Sequence, residues 1–222
     1  MRRLHHFALQ PACRKIRLLL KEKRLDFELA EERPGEWRDE LLRLNHSGEV
    51  PILVEEDGTS FADGQAIAEY LEEMHPDPCL IGDSALARAE VRRLAAWFDL
   101  KFEREVSGRL LDEKILKRIA RNGHPDSQAI RLAHASLPVH LDYIAWLADR
   151  RSWLAGERFS LADIAAAAHL SVVDYLGDVP WDNHPGAKDW YARVKSRPSF
   201  RPLLADHLPG APPPAHYADL DF

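Results

Sequence analysis

The stretch "QPACRKIRLLLKEK", residues 10–23, decides the fold of the first part of the chain. It follows "LHHFAL", residues 4–9, a short apolar run that Gln10 and Pro11 bound and that predicts a buried strand. Within residues 10–23, Ile16, Leu19 and Leu20 recur at helical spacing, and basic residues fill the other face. This pattern predicts an amphipathic helix directly after the strand.

The next sixty residues alternate between the two kinds of element. "DFELAEE" (26–32), "VPILVEED" (50–57) and "TSFADG" (59–64) read as strands, and "DG" at 57–58 reads as a turn. "WRDELLRLN" (37–45) and "QAIAEYLEEMH" (65–75) read as helices. The predicted order is therefore β-α-β-α-β-β-α with a mixed sheet.

After residue 80 the pattern becomes helical throughout. A long helix is predicted by an apolar stripe made of Val91, Leu94, Phe98, Phe102, Val106 and Leu110. Residues 127–149 predict a second long helix that Pro138 kinks, and residues 185–196 predict a fourth. The third, at 159–176, is almost wholly apolar and should be central, and Ser160 and Asp163 at its start predict a capping box.

These patterns predict an α/β domain over residues 1–78, a linker over 79–86, an all-helical domain over 87–203 and a tail over 204–222. The formal net charge of -6 lacks the basic excess of a nucleic-acid binder. No apolar run is long enough for membrane insertion. Cys13 and Cys79 lie far apart, which favours a reducing compartment and the cytoplasm. No His, Cys and Asp spacing predicts a metal site.

Four features in this order resemble the glutathione transferase superfamily: "QPACRKIR", "EVP" at 49–51, "FADGQAIAEYLEE" at 61–73 and "LADIAAAAHL" at 161–170. The resemblance covers roughly residues 3 to 203. It implies a thioredoxin-like N-terminal domain joined to a C-terminal helical bundle, which is an α/β plus all-α fold. It also implies a glutathione cleft and a homodimer.

The resemblance implies cleft roles for five positions. Val50-Pro51 resembles the cis-proline turn that presents a backbone edge to glutathione, although Pro51 could simply shape a turn. Asp63-Gly64 stands where relatives carry an acid followed by Ser, so one hydroxyl bond to the γ-glutamyl carboxylate is missing. Gln10 stands where a Ser, Cys or Tyr would activate the thiol.

Cys13 is a weak candidate for reactive chemistry, because free cysteines most often pack as small apolar residues. With Gln10 and Gly64 at two of the expected glutathione-contacting positions, the sequence resembles a transferase fold whose key contacts are eroded. This favours a non-catalytic binding protein without a cofactor. The alternative is a glutathione transferase that acts on a small electrophile and uses Gln10, His6 or Cys13 as an unusual donor.

The last residues, "PPPAHYADLDF" at 212–222, point to a narrower group. Their acidic and aromatic ending resembles that of GST-like bacterial division proteins. This implies a homodimer that binds FtsZ filaments and curves or bundles them, in the cytoplasm at the division site. The proline run predicts a stiff spacer that projects the ending, although the apolar residues could instead dock on the protein.

The predicted partner-binding residues are Trp37, His216, Tyr217, Asp219, Leu220, Asp221 and Phe222. Trp37 lies in a charged loop beside Arg38, where an exposed aromatic is typical of an interface hot spot. The alternative for Trp37 is that it caps the core of its own domain.

Overall fold

A computed structural model describes residues 1–36 and 38–220. Its sheet contains the strands β1 (Arg3–His6), β2 (Glu28–Glu31), β3 (Ile52–Val54) and β4 (Ser60–Ala62) in the order β2-β1-β3-β4. The pair β1–β2 is parallel, whereas β1–β3 and β3–β4 are antiparallel. Leu4 of β1 lies between Leu29 and Leu53 in this register. The predicted mixed sheet is confirmed.

Three helices belong to this sheet: α1 (Pro11–Glu22), α2 (Asp39–Leu44) and α3 (Gly64–Met74). Pro11 occupies the first turn of α1, where its missing N–H costs no intrahelical bond. The prediction that the basic residues of α1 occupy a face separate from its buried side is wrong. Arg14, Lys15 and Arg17 are 0%, 1% and 3% exposed, because α1 is covered by α3 as well as by the helical part of the chain.

The helical part begins at Ala85, and residues 75–84 connect it to α3. One continuous path contains α4 (Ala85–Ala96), α5 (Gly108–Leu111) and α6 (Lys117–Ala120), joined by wider π-helical turns at Trp97–Ser107 and Asp112–Leu116. It is followed by α7 (Ser127–Arg150), α8 (Leu161–Tyr175), α9 (Pro185–Lys195) and α10 (Arg201–Leu204). The predicted stripe is buried along its whole length. The predicted domain limits remain a prediction.

Helix α8 is the centre of the fold, because all of its residues are buried. The predicted capping box at its start is confirmed, and the Asp163 carboxylate accepts a bond of 3.1 Å from the Ser160 amide. Asp163 also accepts bonds of 3.0 Å from the Leu154 amide and from the Trp190 indole. A buried carboxylate with this many donors fixes the chain around the start of α8.

A second, smaller apolar cluster lies where the two parts of the chain meet. It contains Phe7, Leu9, Leu111, Ile115, Val172, Tyr175 and Tyr217. Phe7 and Leu9 come from the loop between β1 and α1, whereas Tyr217 comes from a short 3₁₀ turn at Ala215–Ala218. This cluster therefore brings the C-terminal segment beside the loop that leads into α1.

Candidate functional site: the cleft and the C-terminal segment

The predicted cleft is present and open. Two adjoining cavities of about 420 and 380 Å³ lie along the start of α1, and both are lined by Gln10, Ser47, Glu49, Val50 and Glu103. The second cavity is also lined by Pro51, Asp63 and Gly64, so the structure brings together all the residues predicted for the cleft. The Val50–Pro51 peptide bond is cis, as the resemblance implied.

Gln10 lies at the position that the motif predicted. It is the N-cap residue of α1 with an extended backbone, and its side chain makes no capping bond to the helix. Its amide donates to the Phe7 carbonyl at 3.0 Å, and its carbonyl accepts from the Arg14 amide at 3.0 Å. The backbone therefore holds Gln10 in place at the wall of both cavities, where the resemblance implied an activating hydroxyl.

Two features distinguish the start of α3, where the resemblance implied a carboxylate site. The Asp63 carboxylate already accepts from the amides of Gln65 and Ala66, at 2.8 and 3.0 Å. A Cβ added to Gly64 would lie 3.2 Å from the Cβ of Ala12, which is closer than side chains normally pack. A serine at position 64 would therefore crowd Ala12, because α3 approaches α1 closely at this point.

The electrostatics of the cleft are also unfavourable for an anion. Glu49 and Glu103 line both cavities. Burial raises the pKa of Glu103, and the nearby carboxylates Asp99 and Glu49 raise it further, whereas Lys15 and His169 oppose the shift. Because glutathione carries more carboxylates than amines, we expect these acids to oppose its binding. Sequence reasoning did not assign a cleft role to Glu49, which directly precedes Val50, or to Glu103, which reaches the cleft from the long helical path.

Cys13 is fully buried in the first turns of α1. Burial raises the pKa of its thiol to about 12. A buried thiol that stays protonated at neutral pH does not supply the thiolate that redox or nucleophilic chemistry requires. Cys13 therefore packs as a small apolar residue in this structure.

The C-terminal segment docks on the protein, so the prediction that the proline run projects it is wrong. The Tyr175 hydroxyl accepts from the Leu208 amide and donates to the Ala211 carbonyl, both at 2.8 Å. These bonds hold the residues before the prolines against α8. The segment then turns back at Ala215–Ala218.

Tyr217 is the anchor of the docked segment and is 0% exposed. Its hydroxyl accepts from Arg14 at 2.8 Å and donates to the Leu203 carbonyl at 3.0 Å. Its ring packs edge-to-face on Tyr175, with 5.2 Å between the ring centroids. Any contribution of Tyr217 to partner binding must therefore come from holding its neighbours in position, because its own ring is not accessible.

The residues beside Tyr217 are more accessible. His216 lies 3.2 Å from the buried carboxylate of Asp174, and its carbonyl accepts from Lys195 at 3.1 Å. Asp219 and Leu220 are exposed at the surface. The other predicted partner-binding residues, Trp37, Asp221 and Phe222, lie outside the described residues. The candidate surface of this segment is therefore formed by its outward residues, with Tyr217 beneath them.

Sequence reasoning missed the polar residues that hold this segment, chiefly Arg14, Asp206 and Asp174. The Asp206 carboxylate accepts bonds from both Arg14 and Arg17, at 2.8 to 2.9 Å. The sequence does carry a signal for this network, because two consecutive turns of α1 place Arg14 and Arg17 on one side of the helix. Nothing in the spacing indicates which acids they meet.

Two features, a metal-binding cluster and a membrane-spanning helix, are absent from residues 1–36 and 38–220. Across residues 1–36 and 38–220, no group of three or more His, Cys, Asp or Glu side chains could hold a metal ion. Over the same residues, every helix is too short or too polar to cross a membrane.

Comparison with known proteins defines the class. The "Glutathione S-transferase, N-terminal domain" family matches residues 4–79, and the "Glutathione S-transferase, C-terminal domain" family matches residues 131–198. The chain therefore belongs to the glutathione S-transferase family, in agreement with its mixed sheet and its helical C-terminal part.

Three matches over the full length of the chain indicate which members of this family it resembles. The chain is 52% identical to FtsZ-localized protein A of Caulobacter vibrioides, over 100% of this chain and 98% of that protein. The solved structure of FzlA from C. crescentus superposes with a TM-score of 0.96 at 52% identity, over 100% of this chain and 99% of that one. A crystal structure of a glutathione S-transferase from Rhodospirillum rubrum F11 superposes with a TM-score of 0.98 at 58% identity over the full length of both chains.

Proposed function

We propose that this protein binds FtsZ filaments and curves or bundles them during bacterial cell division, without glutathione-dependent catalysis. The observation that carries the proposal is the 52% identity to FtsZ-localized protein A over the whole chain. The cleft supports the non-catalytic part, because Gln10 replaces the activating hydroxyl and Glu49 and Glu103 disfavour an anionic tripeptide.

The C-terminal segment is the proposed partner-binding element. Asp219 and Leu220 combine a negative charge with an apolar side chain at the surface, beside the half-exposed His216. Acidic residues at the rim of a contact steer a basic partner and increase its association rate more than its affinity. The buried Tyr217 beneath them reduces the conformational entropy that the segment loses on binding.

A homodimer is part of the proposal, because two such segments on one particle would cross-link filaments and add avidity. The candidate faces are α3 and the long helical path that begins with α4. These two elements are tied to each other by the Arg92–Glu69 ion pair, at 2.7 and 2.8 Å, and so present one surface. The proposed location is the cytoplasm at the division site.

Co-sedimentation with polymerised FtsZ tests this proposal, and the structure indicates which C-terminal residues a truncation can remove. Deleting residues 215–222 would remove Tyr217 and open the core, so the informative truncation ends at Ala218. We expect wild type to co-sediment and the truncation to lose most of the bound fraction at unchanged thermal stability. Leu220→Ser should weaken binding, whereas Leu132→Ser, on a 50% exposed leucine of α7, should not.

Failure of the wild-type protein to co-sediment would contradict FtsZ binding. Equal binding by the wild type and by the truncation would contradict the role of the segment. Electron microscopy of the same mixtures then separates curving from bundling, and light scattering at varied protein to FtsZ ratios tests whether cross-linking needs the dimer.

A second candidate function is glutathione transfer to a small electrophile. It is favoured by the open cavities of about 420 and 380 Å³ and by the Rhodospirillum rubrum relative, which is named a glutathione S-transferase. Calorimetric titration with glutathione and an aryl-halide conjugation assay distinguish the two candidates. Binding at millimolar concentration or tighter, together with turnover, would favour the enzyme.

A further inference from the structure

Arg14 is a fully buried cation with four hydrogen-bond acceptors. Its guanidinium donates to the Ala8 carbonyl, the Ser171 hydroxyl and the Tyr217 hydroxyl at 2.8 Å, and to the Asp206 carboxylate at 2.9 Å. The planar fork of an arginine can satisfy acceptors in several directions at once, which a lysine cannot do. Arg14 therefore joins four separate segments of the chain at a single point.

One of these segments is the wall of the cleft. Ala8 lies in the loop of residues 7–10, hereafter the cleft loop, in which Phe7 and Gln10 line the cavity of about 420 Å³. A bond of 3.0 Å from the Gln10 amide to the Phe7 carbonyl closes this loop. The bond from Arg14 to Ala8 fixes the middle of the loop.

Two of the other acceptors belong to the docked C-terminal segment, which we take as residues 206–220. Asp206 begins this segment, and Tyr217 anchors its end. The apolar contacts follow the same route, because Phe7 and Leu9 of the cleft loop share one cluster with Tyr217. Polar and apolar contacts thus connect the same two elements.

We infer that Arg14 is a positioning residue that couples the cleft loop to the C-terminal segment, so that loosening one loosens the other. When Tyr217 detaches, Arg14 loses one hydrogen-bond acceptor and the ring that shields its guanidinium from water. Because a buried cation with an unsatisfied N–H is costly, the guanidinium then shifts toward water and toward its remaining acceptors, which weakens its bond to Ala8. Coupling between two sites is reciprocal, so a change at the cleft loop must shift docking of the segment by the same factor.

Amide hydrogen exchange of the protein alone tests this coupling. Tyr217→Phe keeps the ring and removes the hydroxyl that Arg14 contacts. We expect about a tenfold faster exchange at Tyr217 and Asp219, as for the loss of one buried hydrogen bond. We expect a parallel, smaller acceleration at Gln10 in the cleft loop. Faster exchange in the segment with an unchanged Gln10 amide would overturn the inference.

Two controls separate coupling from general destabilisation. Arg17→Lys weakens the contact between residue 17 and Asp206, the carboxylate that Arg17 shares with Arg14. It leaves the Arg14 bonds to Ala8 and Tyr217 in place. It should change exchange at Gln10 less than about twofold. Leu147→Ala opens the core in α7 and should accelerate protected amides generally rather than these two elements alone.

Non-additivity provides a second and independent criterion. Arg14→Lys retains the charge but cannot reach all four acceptors, so it should already uncouple the two elements. Adding Tyr217→Phe to Arg14→Lys should then leave exchange at Gln10 unchanged. If the two effects at Gln10 multiply, the sites are independent and the inference is wrong. If Arg14→Lys does not fold, the Tyr217→Phe experiment still decides.

The consequence for partner binding rests on the proposed function. We expect Tyr217→Phe to weaken FtsZ co-sedimentation severalfold, because the outward residues lose their fixed position. The exchange measurement contains no FtsZ. Failure of the wild type to co-sediment would therefore contradict the proposed function, whereas the exchange data alone confirm or overturn the coupling.

Discussion

The cleft and the C-terminal segment meet at the same loop but are built in opposite ways. The cleft keeps its open shape, its cis Val50–Pro51 bond and its helix start, yet Gln10 and Gly64 stand in place of two hydroxyls. In the C-terminal segment, by contrast, the Tyr217 hydroxyl is both a donor and an acceptor of short bonds. The cleft thus has the cis-proline geometry of a transferase, and the proposed function implies that it lacks the chemistry.

This difference shows which region the fold depends on. Buried polar groups are stabilising only when they are bonded, and those of the C-terminal segment are bonded to α1, α8 and α9. The cleft walls border two open cavities, so changes there should alter ligand preference more than stability. Substitutions in the two regions should therefore differ in size and in kind.

The largest effect is expected for Tyr217→Ala. It removes a fully buried aromatic ring and both bonds of its hydroxyl, and it takes away one of the four acceptors of Arg14. We expect a loss of about 4 kcal/mol in the free energy of unfolding, measured by urea denaturation. Leu220→Ala, three residues away and 37% exposed, is the matched control and should cost less than about 0.5 kcal/mol. A loss under about 1 kcal/mol for Tyr217→Ala would show that the segment is a surface addition.

The next effect is expected for Asp206→Ala, which leaves two buried guanidiniums, Arg14 and Arg17, without their carboxylate. Breaking a buried ion pair from one side is costly, and we expect a loss of about 3 kcal/mol in urea denaturation. Glu28→Ala is the control, because the Arg3–Glu28 pair is 3.4 Å long and about half exposed, and should cost less than about 1 kcal/mol. Equal losses for the two variants would contradict the central role of this network.

Sequence patterns could predict most of the fold, because its elements depend on local spacing. The helices, the mixed sheet and the Ser160–Asp163 capping box all follow from residues that lie close together in sequence. The buried face of α1 could not be predicted in this way. Arg14 finds its acceptors at Ser171, Asp206 and Tyr217, which are 157, 192 and 203 residues away.

The same distinction between local motifs and long-range packing applies to the candidate site. Gln10 and Gly64 could be placed in the cleft because each occupies a position in a short motif. The direction of Tyr217 could not be predicted, because it depends on a single 3₁₀ turn after the prolines and on a cavity formed by distant helices. Glu103 was missed for a similar reason, since only the packing of the long helical path against the cleft brings it there.

The third prediction concerns restoring the cleft. Gly64→Ser supplies the missing hydroxyl but brings its Cβ within 3.2 Å of Ala12. We expect a loss of about 1 kcal/mol in the free energy of unfolding. Adding Ala12→Gly should recover the part of this loss that comes from crowding. Ala12→Gly alone is the control for the glycine in α1. A fully neutral Gly64→Ser would show that α3 and α1 can separate at this point.

Glutathione titration of Gly64→Ser, with and without Gln10→Ser, then tests whether hydroxyls are all that the cleft lacks. We expect binding to stay weak, because the amides of Gln65 and Ala66 remain occupied by Asp63 and because Glu49 and Glu103 remain in the cavities. Tight binding by the double variant would instead mean that the two hydroxyls alone separate this protein from a working transferase.

The smallest effect is expected for Glu103→Gln and has the opposite sign. Burial holds the pKa of Glu103 above its ordinary value of 4.5, so the folded state keeps its proton to higher pH than the unfolded state does. Wild-type stability therefore falls as the pH rises from 4.5 through the raised pKa, whereas the glutamine variant lacks this loss. Urea denaturation should show Glu103→Gln gaining on wild type between pH 4 and pH 7, and Glu40→Gln, at an 81% exposed side chain, should show no such trend. A gain independent of pH would point to packing rather than charge as the cause, and the cleft would then be less hostile to anions than its carboxylates indicate.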